Sequence, residues 1–477
     1  MLFGCFVLVL RKNQLSKRSQ ISNPRSQITN LTSAMNSLTY MQLLRSNRSF
    51  RRLWLGQVVS ELGTWFYFIA ALGLVRFVSH NAAGATTIVL VARLVPFALL
   101  APLAGAAVDR WSRRTVMMVT DLARALVALL LLLVHAPEDL WIVYAGTFLL
   151  SVFGAFFEAA KNAAVPNITG DSDLLAGNAL MFSSRFLLMS FGAALGGLTA
   201  SHFGYRTAFI VNSLSFLVSA YSVWLIPDRE TRQNREPVTA RAPAVPRKQR
   251  SGYWSDIREG WAYIIGHPPV AAILGINVLW ATGGGAINLI SDRLGGLVFA
   301  GHNGISGDSA VAVLYFANGV GLFVGMMIAR RVGMYLELRG RTTGFMGWAL
   351  VMQGILFAGI GLMPTLVLAG AILFLSRVTL GVEFAIQETL LMRLVPDNLR
   401  GRVSTTDRAT ELLVWSFSTT IAGWSLGAIT PRTLTVVSGL LSASAGIVWL
   451  ALFALKRVRL PRGLDDKTTP TERVASI

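Results

Sequence analysis

Cysteine and charge are both scarce in this chain, and each scarcity excludes a class of protein. A single cysteine, Cys5, among 477 residues excludes an internal disulfide framework. Only 14% of the residues are charged, whereas 53% are hydrophobic, so a water-soluble domain would expose large apolar areas. Acidic residues are fewer than basic ones, 24 against 43, which gives a net charge of +19. The composition therefore predicts a chain that lies mostly in lipid.

Apolar runs of about twenty residues, the length that spans a bilayer, recur twelve times. Six lie before a polar linker and six after it, which predicts an all-α membrane protein with twelve transmembrane helices in two pseudo-symmetric six-helix bundles. The predicted spans are residues 53–77, 85–107, 115–134, 140–160, 174–201 and 206–226, then 269–290, 310–329, 342–362, 365–391, 403–429 and 434–455.

The spans divide the chain into five parts: an N-terminal extension (1–50), a first bundle (51–226), a cytoplasmic linker (227–266), a second bundle (267–456) and a tail (457–477). Pro and Arg dominate the beginning of the linker, a composition typical of a flexible strap. Its end, YWSDIREGWAYII, repeats apolar residues at helical spacing and predicts an amphipathic helix at the membrane surface.

The basic residues predict the orientation of the chain. With the amino end in the cytoplasm, 34 of the 43 Lys and Arg residues fall in inner segments. Four fall outside: Arg76, Arg206, Arg293 and Arg432. We therefore expect both termini on the cytoplasmic side of a bacterial-type inner (plasma) membrane. This bias explains the basic charge through contact with membrane lipids, without nucleic acid.

The first fifty residues fit this plan poorly. MLFGCFVLVL is too short to span a bilayer, and its basic residues follow the apolar run instead of preceding it as in a signal peptide. We expect either a start at Met35 or Met41 or a disordered extension. A short membrane-surface anchor is the alternative.

The two halves resemble each other in sequence. FFEAAKNAAVP (156–166) and IQETLLMRLVP (386–396) each carry a Glu eight residues before Val-Pro, so Glu158 corresponds to Glu388. Further along, Arg185 corresponds to Arg408. Matched charges in matched order favour an internal repeat, as in transporters that rock two related bundles about a central site.

The loop after the second span reads GAAVDRWSRR (105–114). Together with RSFRRLWLGQVVSELGTW (48–65), DLARA (121–125) and RLVPDNLRGRV (393–403), it resembles the enterobactin-exporter and macrolide-efflux branch of the major facilitator superfamily. That resemblance implies an inner-membrane exporter, often a proton antiporter. Ala193 stands where the antiporter pattern has Pro, so proton coupling stays open. Ala329 in the second half stands where the first loop has Asp109, so the predicted gate is asymmetric.

The loop itself predicts a charged latch between helices. Asp109 can accept hydrogen bonds from a neighbouring helix N-terminus while the arginines reach carboxylates or headgroups. The alternative is topology signalling by positive charge alone. The predicted gating residues are Gly105, Asp109, Arg110, Arg113 and Arg114.

Ionisable side chains inside the spans cost about 2.5 to 3.5 kcal/mol each unless they are paired or hydrated, which predicts an aqueous cavity or internal pairs. Glu61 lies beside Trp65 and Phe68 on one helix face, and could carry a proton or pair with an Arg. We expect ion pairs between Glu158 and Arg185 and between Glu388 and Arg408; the alternative for Arg408 is that Asp407 and Glu411 balance its charge. The best second proton carrier is Glu383, on a helix that lines the cavity in the resembled fold.

The predicted seventh span contains three consecutive glycines in ATGGGAINL (281–289), which fit either a gating hinge or close packing. Polar and aromatic groups on this and other spans are the candidates for the substrate cavity. Besides Trp65 and Phe68 they are Asn277, Trp280, Asn288, Arg377, Gln387 and Glu411.

The sequence shows no catalytic constellation, no metal-ligand spacing and no phosphate-binding loop, so we expect no enzyme activity and no cofactor. The leading hypothesis is an exporter of amphipathic small molecules such as siderophores, macrolides or drug-like compounds, with protons as the coupling ion. Two alternatives are a lipid or lysolipid transporter of the same fold and a transport-inactive membrane sensor or scaffold.

Overall fold

The computed structural model describes residues 40–108, 110–231, 253–301 and 304–455. These residues form helices and connecting turns, as the hydrophobic runs predict. The N-terminal extension up to residue 39, the beginning of the linker, the tail and Asp109 lie outside the described residues.

The helices follow the predicted order, and short connections join most of them within each half. They are α1 (Tyr40–Ser46), α2 (Arg48–Val78), α3 (Ala83–Val108), α4 (Arg113–Leu130), α5 (Leu140–Phe203), α6 (Tyr205–Trp224), α7 (Asp228–Thr231), α8 (Tyr253–Gly266), α9 (Pro268–Gly284), α10 (Ile287–Arg293), α11 (Gly307–Leu338), α12 (Thr342–Ile360), α13 (Leu366–Leu394), α14 (Asp397–Ser425) and α15 (Pro431–Ala454). A π-helical turn, Leu294–Val298, extends α10.

Eleven stretches of helix within the described residues are long and apolar enough to cross a membrane. Most of the predicted eleventh span, 403–429, lies in α14, which is a helix of 29 residues ending at Ser425 but is too polar to count among the eleven. Asp407, Arg408 and Glu411 occupy a single turn of it. The all-helical membrane fold is confirmed, and the predicted twelve helices agree roughly with the structure.

The predicted fourth and fifth spans meet without a loop, contrary to the predicted break between residues 160 and 174. Helix α5 continues through Pro166 and bends at Gly170, where φ is 68°. That backbone conformation suits glycine, which has no Cβ to clash. Beside the bend, the Asn47 side chain donates to the Ile168 carbonyl at 2.7 Å, which provides a partner for a carbonyl near the disrupted turn.

Three buried apolar clusters show how the halves meet. One cluster joins residues of both halves, including Phe68 and Leu72 of α2 with Leu314 and Tyr315 of α11. A second contains only residues from Ile264 onward, and a third only residues up to Ile226. The halves therefore share a core at one end, where α2 ends and α11 begins, which we name the closed end. At the opposite, open end each half has its own core.

Candidate transport cavity and closed-end gate

An ion-pair network joins the two halves at the closed end. Arg76, in the last turn of α2, donates hydrogen bonds to Asp292 of α10 and to Asp308 of α11. Tyr205, at the start of α6, donates to the second Asp308 oxygen at 3.0 Å. Arg76 and Asp292 are 5% and 0% exposed. One guanidinium thus links two carboxylates of the other half in a site closed to solvent.

Arg293 extends this network to the loop between α2 and α3. Its guanidinium donates to the carbonyls of Asn81 at 2.8 Å and Ala82 at 3.3 Å, and to the hydroxyl of Thr86. Asn81 has a positive φ of 67°, so the loop turns back sharply and presents its carbonyls to the arginine. We call Arg76, Arg293, Asp292, Asp308 and Tyr205 the closed-end network.

Sequence analysis missed this network. Arg76 and Arg293 were expected outside the membrane, and the two aspartates were not singled out. The signal in the sequence was the placement of Arg76, Asp292 and Asp308 at the ends of apolar runs on opposite halves.

Glycines allow the helices of the two halves to approach closely. A Cβ at Gly197 of α5 would meet Ala312 and would lie 2.8 Å from the Asp308 carbonyl oxygen of α11. A Cβ at Gly423 of α14 would meet Thr87 of α3 in the same way. The glycine run of α5 therefore serves helix packing between the halves, as well as against α2.

The glycines of the predicted seventh span interrupt the helix. α9 ends at Gly284 and α10 begins at Ile287. The same glycines also pack closely, since a Cβ at Gly285 would lie 2.8 Å from the Cα of Trp415. The hinge and packing interpretations are thus compatible. Beyond the break, the Asn288 carbonyl accepts a hydrogen bond from the Tyr315 hydroxyl at 3.3 Å.

The first half presents a charged wall below the closed end, which we call the N wall. The Arg185 Nε lies 3.5 Å from the Glu61 Oε1, and Gln57 donates to the other Glu61 oxygen at 3.2 Å. The Arg185 side chain is 55% exposed, although it lies in the middle of a spanning helix. Lipid cannot solvate such a charge, so its exposed surface must face water or substrate.

Arg93 forms the upper part of the N wall. Its guanidinium lies 3.9 Å from the ring centre of Phe68 and 4.8 Å from that of Trp65. Both rings pack against Tyr315 of the second half. The Arg93 Nη1 is buried and has no hydrogen-bond partner among the described residues. Trp65 and Phe68 thus form an aromatic roof between the cavity and the closed-end network.

The second half presents a polar wall, which we call the C wall. The Asn277 amide donates to both Asp407 oxygens at 3.3 Å and accepts from Gln387 at 2.5 Å. Arg408, whose side chain is 57% exposed, donates to Glu411 at 2.7 Å. The structure thus brings together Asn277, Gln387 and Glu411, three of the predicted cavity residues.

Aromatic side chains border the C wall near the helix break. The rings of Trp280 and Trp415 lie 5.9 Å apart. Trp280 was a predicted cavity residue, whereas Trp415 was not singled out.

Neither ion pair expected between consecutive helices of one half is a direct contact, although Arg185 lies within electrostatic range of Glu158 and Arg408 within range of Glu388. Glu158 accepts instead from Lys161, three residues on, at 2.6 Å, while Arg185 pairs with Glu61. Arg408 likewise pairs with Glu411 on its own helix, and Glu388 is half-buried. Glu158 and Arg408 each have a partner three residues away on the same helix, and the helix itself holds such a pair within range.

Two other predicted residues lie in the core of the second half. Glu383 is 2% exposed, and its Oε1 has no hydrogen-bond partner in the part of the chain described. Arg377 is equally buried, with its guanidinium 5.0 Å from the ring centre of Phe357. The structure therefore places Arg377 between helices and not on the cavity wall.

The arginines of the predicted latch bind backbone carbonyls of their own half. Arg113 donates to Ala163 at 2.8 Å and to Thr231 at 3.3 Å, and Arg114 donates to Trp224. Gly105 and Arg110 are exposed. These bonds tie α4 to α5, α6 and α7 at the open end, where carbonyls at helix C-termini favour positive charge.

Two bundles of spanning helices that share one sealed end and present charged walls below it form the framework of a membrane transporter. A family model of the Major Facilitator Superfamily matches residues 53–419. The chain belongs to this superfamily. It is therefore a multi-pass membrane transporter and not an enzyme, and within the described residues no group of His, Cys, Asp and Glu could hold a metal ion.

Relatives in Bacillus subtilis share the family. The "Uncharacterized MFS-type transporter YfiS" is 28% identical over 187 residues, 39% of this chain and 44% of that protein. The "Putative bacilysin exporter BacE" is 29% identical over 183 residues, 38% of this chain and 45% of that protein. In these alignments the chain spans somewhat under half the length of the relatives. Another relative, YceJ, is 23% identical over 78% of this chain and 88% of its own length.

Solved structures with the same fold are more distant in sequence. The nucleoside transporter NupG matches with a TM-score of 0.62 at 13% identity, over 85% of this chain and 99% of NupG. A bacterial homologue of the lysosomal transporter Spinster, inward-facing and unoccupied, gives 0.62 at 12% identity over 87% and 98%. These likenesses establish the fold.

Proposed function

We propose that this protein is a secondary active transporter that exports amphipathic small molecules from the cytoplasm by alternating access, driven by protons. The closed end would face the outside of a bacterial plasma membrane and the open end the cytoplasm, with both termini cytoplasmic. The orientation is supported by the concentration of basic residues at the open end. The name of BacE as an exporter supports the direction of transport.

One observation carries the proposal: among the described residues, the halves share a buried core and ion pairs at the closed end, while exposed charges lie at mid-depth below it. Arg185 and Arg408, from opposite halves, are both more than half exposed. An arrangement with one sealed end and a hydrated interior is the state from which cytoplasmic substrate would enter. Breaking the closed-end network would let the closed end open, while the open end closes.

Glu61 is the favoured proton carrier. Its carboxylate holds Arg185 at 3.5 Å, so protonation would remove the negative charge and release the arginine into the cavity. A conformational change could thereby be coupled to proton binding. Glu158, Glu388 and Arg408 would complete the charge relay. Glu383, buried with an oxygen that has no partner among the described residues, would be the second carrier if a proton path reaches it.

The predicted latch would act at the cytoplasmic face. Asp109 would bind the other half when the open end closes, while Gly105 and the arginines, including Arg110, position the loop. Arg113 and Arg114 donate hydrogen bonds to carbonyls of the first half, which supports an anchoring role for them while the open end is open.

Reconstituted transport tests the proposal. The purified protein would be placed in liposomes with a pH-sensitive dye inside and a proton gradient imposed, and siderophores, macrolides and cationic dyes would be screened for cargo-dependent proton flux. We expect flux with wild-type protein and with Glu138→Gln, an exposed loop control. Glu61→Gln should lose the dependence of transport on pH.

The outcomes separate the hypotheses. A Glu61→Gln variant with unchanged pH response would remove Glu61 as the carrier. Cargo movement that persists without a proton gradient would favour the lipid or lysolipid transporter. No movement of any cargo by folded protein would favour the sensor or scaffold.

A further inference from the structure

The aromatic roof of the cavity encloses a cation. The Arg93 guanidinium lies 3.9 Å from the ring centre of Phe68 and 4.8 Å from that of Trp65. Its Nη1 is buried and has no hydrogen-bond partner in the part of the chain that the structure describes. Cation–π contacts with the two rings offset part of the cost of burying this charge. A guanidinium cannot lose its proton in a protein, so the rest of the cost persists at every working pH.

This cost is specific to the state in which the closed end is sealed. The rings of Trp65 and Phe68 pack against that of Tyr315, with centroid distances of 6.1 Å and 5.7 Å. Arg93 and the two roof rings belong to the first half, whereas Tyr315 lies in α11 of the second half. When the halves separate at the closed end, Tyr315 leaves with its own half, and water from that side reaches the guanidinium. The charge of Arg93 therefore destabilises the sealed state.

The carboxylate of Glu61 lowers this cost. Its negative charge lies within electrostatic range of Arg93, and the positive charge of Arg185 lies in range with the opposite effect. The phenol groups of Tyr67 and Tyr315 are also in range, and a protonated phenol carries no charge. Among the described residues, Glu61 thus supplies the negative charge that balances the roof cation.

A proton on Glu61 would remove this balance. The Arg185 side chain, whose Nε lies 3.5 Å from the Glu61 Oε1, is 55% exposed, so water and protons reach the pair from the cavity. Once Glu61 is neutral, Arg185 and Arg93 are two cations without a negative charge between them. Like charges repel more strongly in a protein interior than in water. Water that enters the roof as the closed end opens would relieve this repulsion.

We propose that Arg93 is a positioning residue that couples the protonation of Glu61 to the opening of the closed end. While Glu61 is ionised, the roof cation is balanced and the closed end stays sealed; once Glu61 is protonated, the cation destabilises the seal. This inference rests on the proposed transport function and specifies how proton binding moves the gate. By linkage, the state with the sealed closed end binds the proton more weakly, so proton release would face the cytoplasm.

Spin-label distances measured against pH test the coupling. Labels at Phe77→Cys and Leu362→Cys, exposed positions of the two halves toward the closed end, would report its separation in a Cys5→Ser background. In the wild type we expect acidification to lengthen this distance. Glu61→Gln mimics the protonated carboxylate and should lengthen the distance at neutral pH. We expect about a tenfold change in the ratio of the two states, which is a typical size for coupling between sites.

Substitutions of Arg93 distinguish coupling from a merely structural role. Arg93→Met removes the charge and keeps a long apolar side chain, so Glu61→Gln should have no further effect on the distance in this background. Arg93→Met alone should lose most of the response to pH, and Arg93→Gln is a second neutral variant with the same expectation. Arg93→Lys keeps the charge and should keep the response. Arg206→Gln and Glu138→Gln remove exposed charges at the closed end and should respond like the wild type.

Different results contradict different claims. A full effect of Glu61→Gln in the Arg93→Met background, or a wild-type pH response in both neutral Arg93 variants, would overturn the role of Arg93. A Glu61→Gln distance equal to that of the wild type at neutral pH would overturn it too. The distances require no cargo, so flux of dyes or siderophores in liposomes tests the exporter separately. Flux with uncoupled distances would leave the proposed function standing, whereas coupled distances without any flux would contradict the exporter and support the coupling.

Discussion

Neutralising Arg76 should shift the conformational equilibrium away from the closed-end state. The residue is buried and binds Asp292 and Asp308 of the other half. Arg76→Gln therefore removes two contacts that exist only while the two halves are joined at the closed end. Removing one partner of a buried ion pair costs about 3 to 5 kcal/mol. That figure is an upper bound here, because the aspartates retain other partners.

The remaining partners set the expected size of the shift. Asp292 keeps the Arg293 Nε at 3.4 Å, and Asp308 keeps the Tyr205 hydroxyl at 3.0 Å and is 12% exposed. We therefore expect about half of the full cost, roughly 2 kcal/mol, which is about a thirtyfold change in the equilibrium. Arg76→Lys keeps one charge and should shift the equilibrium less.

Distances between spin labels would measure the shift. Phe77→Cys and Leu362→Cys place labels on exposed positions of the two halves toward the closed end, in a Cys5→Ser background. Met41→Cys and Leu338→Cys do the same toward the open end. In Arg76→Gln the first distance should lengthen and the second shorten.

The matched control is Arg206→Gln, which removes an exposed arginine at the same end. Its distances should equal those of the wild type. If Arg76→Gln also gives wild-type distances with folded protein, the closed-end network does not hold the two halves together, and the gate assigned to it would be refuted.

Three further predictions concern packing, the loop and stability. Gly197→Ala should also favour the state in which the closed end is open, because the added Cβ would meet the first turns of α11. The same label distances would measure this shift. Gly84→Ala is the control, because a Cβ at Gly84 meets no other atom within 4 Å. Asp109→Asn should impair transport without impairing membrane insertion, and wild-type rates would contradict the latch. Asp121→Asn leaves Arg124 buried beside a neutral group and should lower thermal stability by about 3 kcal/mol, measured by melting in detergent.

The helices could be predicted because a chain in lipid must satisfy its backbone hydrogen bonds within each helix, and a helix that crosses the bilayer needs about twenty apolar residues in sequence. Local composition therefore specifies the fold. The amphipathic helix predicted at the end of the linker corresponds to the helix α8, Tyr253–Gly266. The continuous α5 was not predicted, because Pro166 and the polar residues after it are typical of a helix end. The bend at Gly170 depends on a backbone conformation that hydropathy does not encode.

The ion pairs could be predicted less well, because they depend on helix rotation and on contacts between distant segments. Glu61 and Arg185 were both identified as intramembrane charges, but their pairing follows from the packing of α2 against α5. The closed-end network likewise joins Arg76 to residues more than two hundred positions away. Hydropathy treats such residues as span ends, and only the fold reveals that they meet.

The difference in charge between the N wall and the C wall follows departures from the predicted internal repeat. In the first half Glu158 has Lys161 three residues on, whereas the corresponding position after Glu388 is the apolar Leu391. Arg408 has Glu411 three residues on, whereas the corresponding position after Arg185 is Leu188. At these positions the second half thus has one cation fewer and one carboxylate more than the first.

Packing alone does not require these differences, because both bundles use the same fold and apolar residues fill the corresponding positions of the other half. Both differences lie on the C wall and have the same electrostatic sign, so they move that wall toward negative charge relative to the corresponding positions of the first half. Under the proposed transport function, the two related bundles would supply the rocking framework, and these departures would set the charge that a substrate meets on the C wall.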